Sequence, residues 1–167
     1  MRAVIWISEE TWMPCVRHAQ ELLPARAEVT LLHVAPSDVE ELAAGGPAGL
    51  LGRRRPPRPP HERDLRAVSD AEARQILEAA RDLLGRDCAL AARRGRVERE
   101  VVAACADADL LVAARDGARK LGPKSLGPRA RFIVDHAPCT VVLVWPEDPP
   151  GIDTIPPPPP HRGDTGH

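Results

Sequence analysis

At 167 residues the chain is long enough to bury one domain core and too short for two comfortable domains. Lys plus Arg number 23 against 24 Asp plus Glu, a balance that argues against a general nucleic-acid binder. Three Trp, one Phe and no Tyr leave few stacking platforms for single-stranded nucleic acid, so the core is predicted to be aliphatic.

Val4 to Ile7 is a short continuous apolar run, as expected for a strand covered on both faces. Thr11 is placed to cap the helix that follows, and Pro14 is tolerated in its first turn, where a missing N–H is no loss. Val16, Ala19, Leu22 and Leu23 form the apolar stripe of that helix, and Pro24 helps to stop it. Val29 to Val34 reads as a second buried strand, with His33 as a core or edge histidine. Pro36 to Asp64 changes character. It holds Gly45-Gly46-Pro47 and then an Arg/Pro run from Arg53 to Pro60. Val39 to Leu51 reads as a helical excursion and the Arg/Pro run as an exposed, extended insertion loop; contact with an acidic partner is the other reading of that composition.

Ser69-Asp70-Ala71-Glu72 has the form of a capping box and predicts a helix start at Ser69. Ala73, Ile76, Leu77, Ala80, Leu83 and Leu84 give that helix its buried stripe, and Gly85 ends it. Cys88 to Ala92 is a third, less apolar strand, suited to a sheet edge. Arg96 to Ala106 is a helix with Val97, Val101, Val102 and Cys105 inward. Asp109 to Ala113 is the fourth strand, Pro128 to His136 the last helix, and Cys139 to Trp145 the fifth strand. Strands alternating with helices predict an α/β fold with right-handed crossovers and a parallel sheet. From Pro146 onward the chain is Pro-rich, with five consecutive prolines from Pro156 to Pro160. Such a tail is expected to be disordered or polyproline-like, either bare and solvated or a ligand for a proline-recognition partner.

Four cysteines (Cys15, Cys88, Cys105, Cys139) are scattered without close pairing. No secretory start follows Met1, and no stretch approaches the ~20 apolar residues needed to cross a bilayer. The expectation is a reduced, cytoplasmic protein. Cys15 with His18, and His136 with Cys139, sit near one helical turn apart, but a metal needs three or four converging ligands and none is expected. Cys139 reads as a packed small hydrophobe; a nucleophilic role would need His136 as its activating base. No Ser/His/Asp set stands at recognisable loop positions, so an enzyme is not expected.

Segment 114–128 carries the functional signal. It lies between two apolar strands, with two residues between Ala114 and Gly117 and nine between Gly117 and Gly127. A glycine-rich loop running from a strand into a helix N-terminus is how parallel α/β proteins hold a phosphate. The spacing resembles the G-x2-G-x9-G-[S/T] loop of the universal stress protein family. Residues Val4–Ile7, Glu28–Val34, Asp107–Val112 and Asp135–Val144 are similar to other segments of that family, and the resemblance covers roughly residues 1–146. It implies one domain over 1–146, with the insertion at 36–64 and a separate Pro-rich tail at 147–167. It also implies a doubly wound, five-stranded parallel sheet of strand order 3-2-1-4-5, with helices on both faces. Ligands bind such sheets where the winding reverses, beyond the carboxyl ends of the strands.

In nucleotide-binding members an Asp after the first strand reads the adenine; here that position falls at Ser8 or Glu9. Val34 matches a residue that packs on the base. Ala113 and Ala114 end the strand before the loop, with Ala114 in place of the first Gly. Asp116 stands where Arg is common, Gly117 and Gly127 keep the pattern, and Pro128 replaces the hydroxyl residue that contacts the phosphates. Arg129, with Lys120, Lys124, Ser125 and Arg131, surrounds the helix start with positive charge and one hydroxyl, so an anion site is expected to survive. The family commonly pairs its last strand across a two-fold axis, which implies a homodimer through Thr140, Val142, Val144 and Trp145. The resemblance therefore implies a dimeric stress-response regulator that takes an adenine nucleotide, ATP with Mg²⁺, without robust turnover. A scaffold of the same fold, acting through the Arg/Pro insertion and the tail, is the alternative.

Overall fold

Strand β1 (Arg2–Trp6) runs through the middle of a five-stranded, all-parallel sheet of order β3-β2-β1-β4-β5. The computed structural model describes residues 1–37, 60–155 and 157. In chain order the remaining principal elements are α1 (Trp12–Leu22), β2 (Glu28–Pro36), α2 (Pro60–Leu84), β3 (Ala89–Gly95), α3 (Val97–Ala104), β4 (Leu110–Ala114), α4 (Pro128–His136) and β5 (Thr140–Val144). The sheet is thus the doubly wound one that the family resemblance implies. Ile5 lies in register with Leu31 of β2 on one side and Val112 of β4 on the other.

Alternation along β1 sends its side chains into two separate cores. Ala3, Ile5 and Ile7 join Val29, Leu31, Val112 and Val144 beneath α1 and α2. Val4 and Trp6 join Leu32, Val34, Leu111 and Ala113 against α3 and α4. A strand with a core on each face must read as a continuous apolar run, which is what Val4 to Ile7 is.

Helix α2 begins at Pro60, well before the capping box at Ser69. Ser69 and Asp70 of that box have another use. Arg94 of β3 donates to Ser69 Oγ (3.2 Å) and pairs with Asp70 Oδ1 (3.1 Å), so they tie α2 to the edge strand. The far end of α2 agrees with its sequence signal: Gly85 takes φ +67°, a left-handed conformation that suits glycine. Gln20 of α1 donates to the exposed carbonyls of Leu83 (2.6 Å) and Leu84 (3.2 Å) there. Thr11 occupies the cap position of α1 without a side-chain cap hydrogen bond. On α1, Leu22 is 52% exposed and stands outside the core; Cys15 takes an inward position in its stead.

The tail starts in ordered fashion rather than leaving the domain at Pro146. Residues Ile152–Thr154 form a 3₁₀ turn, Leu121 N–H donates to Thr154 Oγ1 (3.3 Å), and Arg119 pairs with Glu147. The helical excursion at Val39–Leu51, the Arg/Pro run as far as Pro59, and Pro156 with residues 158–167 lie outside the described residues. Among the described residues no helix is long and apolar enough to cross a membrane.

Leu77 on α2 is 2% exposed and Leu22 on α1 is 52% exposed. Leu77→Ala is expected to cost about 2–5 kcal/mol in urea denaturation and Leu22→Ala less than about 0.5 kcal/mol. Equal losses would contradict the assignment of the α1–α2 core.

Candidate functional site

The winding reverses between β1 and β4, whose chains leave the sheet toward opposite faces. Beyond their carboxyl ends lies a cleft of about 350 Å³. Ser8 and Glu9 reach it from the loop after β1, Val34 from the end of β2, Asp116 from the loop after β4, and Arg129 from the first turn of α4. Five residues singled out in the sequence therefore line one cavity. Both candidates for the base-reading position, Ser8 and Glu9, are among them.

The sequence does not single out Glu10, His33 and Val97 for this cleft, yet they line it as well. His33 is 7% exposed, and its Nδ1 lies 3.0 Å from the Ile7 carbonyl oxygen. That oxygen can only accept, so the hydrogen bond places a proton on Nδ1. A second cleft, about 590 Å³, shares Glu9, His33 and Val34 with the first and extends along α2 past Ser69, Glu72 and Ile76.

The loop after β4 folds onto itself. Gly117 N–H donates to the Ser125 carbonyl (3.0 Å) and Ala118 N–H to that of Lys124 (2.7 Å). A β-carbon on Gly117 would lie 2.4 Å from the Lys124 oxygen, so this position requires glycine for close approach. Gly122, at φ +108°, turns the chain into a 3₁₀ turn over Pro123–Ser125. Ser125 is wholly buried. Its hydroxyl donates to the Gly122 carbonyl (2.8 Å) and accepts from Arg115 (2.5 Å), whose guanidinium also lies over the Trp145 ring at 4.8 Å.

The anion-supporting set is spread over two places. Ser125 and Arg131 are expected from sequence to face an anion, but both serve the loop's own backbone. Arg131 donates to the carbonyls of Pro123 (2.5 Å) and Leu126 (3.5 Å). Lys120 and Lys124 line a different, largely apolar groove of about 650 Å³ with Leu121, Pro123 and Ile155. None of these four residues lines the switch-point cleft.

Ala113 and Ala114 are buried in opposite cores, and neither lines the cleft. The Ala114 methyl packs with Val144 beneath α1, which explains how a side chain is accommodated at that step of the loop. Gly127 caps α4 from extended backbone (φ −70°, ψ 174°), and Pro128 takes the first helical position, where no intrahelical N–H is lost. Gly127 N–H donates to Asp116 Oδ1 at 2.7 Å. Beside Val97 on α3, Glu98 is buried. Burial pushes its carboxyl up, but its own backbone N–H, the Arg96 hydrogen bond (2.5 Å) and the charges of Arg96 and Arg129 outweigh this and hold it below the usual range.

At the last strand, Thr140 N–H donates to Asp109 and Val144 accepts from Arg115, so even-numbered residues direct their backbone groups at β4. Val141 and Leu143 face the free edge with theirs. Val144 is 3% exposed within this chain's own core, not part of an exposed surface, whereas Val142 is half-buried and Thr140 exposed.

Cys15 and Cys105 are buried, and burial pushes both thiols up to about 12, Cys139 adding to the effect at Cys105. His136 stacks on Phe132 with centroids 4.0 Å apart, its Nδ1 at the Phe132 carbonyl (2.8 Å). Among the described residues no group of three or more His, Cys, Asp or Glu is placed to hold a metal.

No family model and no curated protein sequence gives a significant match to the chain. Solved structures do match it. The hypothetical protein MJ0577 superposes at TM-score 0.64 with 18% identity, over 86% of this chain and 94% of that one. A universal stress protein in complex with cAMP gives TM-score 0.58 with 15% identity, over 88% and 98%. A universal stress protein family member from Arabidopsis thaliana with AMP bound gives 0.57 with 17% identity, over 89% and 93%. The chain has the universal stress protein fold.

The thiolate is the reactive form of cysteine, and a thiol near 12 is about 1 part in 10,000 ionised at pH 8. Cys15 and Cys105 are therefore expected to resist iodoacetamide at pH 8 in native buffer and to react in urea, as read by peptide mass mapping. Rapid native labelling of either would contradict their placement.

Proposed function

We propose that this chain is a universal stress protein: a cytoplasmic, homodimeric regulatory module that takes an adenine compound in the switch-point cleft and does not turn it over robustly. The observation that carries the reading is the convergence of Ser8, Glu9, Val34, Asp116 and Arg129 on one cavity at the reversal of the sheet. Solved proteins of this fold with cAMP and with AMP support the ligand class. The cleft suits the base chemically. Trp6, Val34 and Val97 offer apolar wall, and Glu9 and Glu10 offer acceptors for an exocyclic amino group. ATP with Mg²⁺ makes the largest demand on the loop, because its phosphates call for donors at the start of α4.

Isothermal titration of nucleotide-stripped protein with adenosine, AMP and ATP·Mg²⁺ tests this. Binding of at least one of them is expected, weakened about tenfold by Glu9→Ala through loss of one charged acceptor. No heat and no thermal shift with any of the three would contradict the adenine reading.

Dimerisation is proposed through the open edge of β5, where Val141 and Leu143 present unpaired backbone groups and half-buried apolar side chains. Leu143→Pro removes one edge-facing N–H and is tolerated on an edge strand. By light scattering this variant is expected to be a folded monomer where the parent is a dimer. A parent monomer, or a dimer that persists in the variant, would refute the edge pairing. Charge at Val144 would instead report on folding, since that side chain lies in the core.

A further inference from the structure

We propose that Asp116 is a built-in anion seated at the start of α4, so that the cleft takes an uncharged adenine nucleoside in preference to its phosphate-bearing forms. The proposal deepens, and rests on, the adenine reading above.

A parallel sheet offers a phosphate two things at its switch point: backbone N–H groups at a helix start, and cations beside them. Here one of the N–H donors at the helix start is already taken. Gly127 N–H donates to Asp116 Oδ1 at 2.7 Å. A β-carbon on Gly127 would stand 3.0 Å from Oδ1 and 3.1 Å from both Cγ and Oδ2, so the whole carboxyl group lies against the glycine. That is the space a phosphate oxygen would occupy to reach the same N–H. The next residue, Pro128, has no N–H to offer a second oxygen.

Several cations near the loop have other partners, and Lys120 and Lys124 line the other groove. Arg115 is held by Ser125 and the Trp145 ring, Arg119 by Glu147, and Arg131 by the carbonyls of Pro123 and Leu126. Arg129 does line the cleft, but the Glu98 carboxylate lies within its field. Against it the cleft sets Glu9, Glu10 and Asp116. A dianionic phosphate entering this cleft meets net negative charge and must first displace Asp116. A nucleoside meets neither obstacle, and its base and ribose present donors to the same carboxylates.

The experiment compares the parent, Asp116→Ala and Asp116→Asn by titration with adenosine, AMP and ATP·Mg²⁺, and separately with inorganic pyrophosphate. In the parent, adenosine is expected to bind at least as tightly as AMP or ATP, and pyrophosphate not at all. Asp116→Ala is expected to gain about tenfold or more for AMP and ATP relative to adenosine, and to acquire pyrophosphate binding. Asp116→Asn keeps an oxygen for the Gly127 N–H but loses the charge, so a smaller gain is expected; it also carries the test if the alanine variant fails to fold. Parent protein that binds ATP or pyrophosphate as tightly as the variants, or variants that gain for neither AMP nor pyrophosphate, overturns the proposal. Pyrophosphate needs no adenine pocket. If no adenine compound binds any form, the adenine reading falls while the pyrophosphate arm still decides the role of Asp116.

Discussion

Strand β1 has no face to spare. Ala3, Ile5 and Ile7 are committed to one core, Val4 and Trp6 to the other, and both long edges are hydrogen-bonded, to β2 and β4. With every direction in the sheet occupied, β1 can contribute to function only at its end, through Trp6 and through Ser8 and Glu9 just beyond it. The same constraint places the helices. The chain leaves β1 toward α1 and β4 toward α4, on opposite faces, and the cleft is the gap their divergence leaves.

The three departures from the expected phosphate loop are consistent with one another. The Ala114 methyl lies in the α1-side core, where it meets Val144 and not a ligand. Pro128 discards an N–H that the first helical position does not use. The N–H just before it, on Gly127, is satisfied internally by Asp116. The loop is further fixed by the buried Ser125, held between Arg115 and the Gly122 carbonyl, and by the close approach of Gly117 to Lys124. It has the build of a rigid structural loop, with an anion of its own where a ligand's would sit.

Much of this was legible in the sequence because it depends on local pattern. Continuous apolar runs marked β1, β2, β4 and β5, the spacing of Ala73, Leu77, Ala80 and Leu84 marked α2, and Gly85 marked its end. Ser8, Glu9, Val34, Asp116 and Arg129 were reached through the family resemblance, and they meet because the loops at the strand ends of a parallel sheet share one rim. What escaped depends on contacts distant in sequence. Ser69 and Asp70 look like a helix start, but their partner is Arg94 in β3, and α2 runs through them. Lys120 and Lys124 look like phosphate ligands until the turn at Gly122 carries them to another groove. His33 has the signature of a core histidine and is one, yet it sits close enough to the end of β2 to line the cleft as well.

The central physical claim is that the chain's own carboxylate fills the seat at the start of α4. The most direct measurement is the amide resonance of Gly127 followed by ¹⁵N-correlated NMR through an acid titration, in the parent and in Asp116→Asn. A charge-assisted hydrogen bond deshields the donated proton. The account predicts that in the parent the Gly127 proton moves upfield as Asp116 takes up its proton, and that in the variant it stays still. A Gly127 resonance that ignores acidification, or moves alike in both proteins, would contradict it.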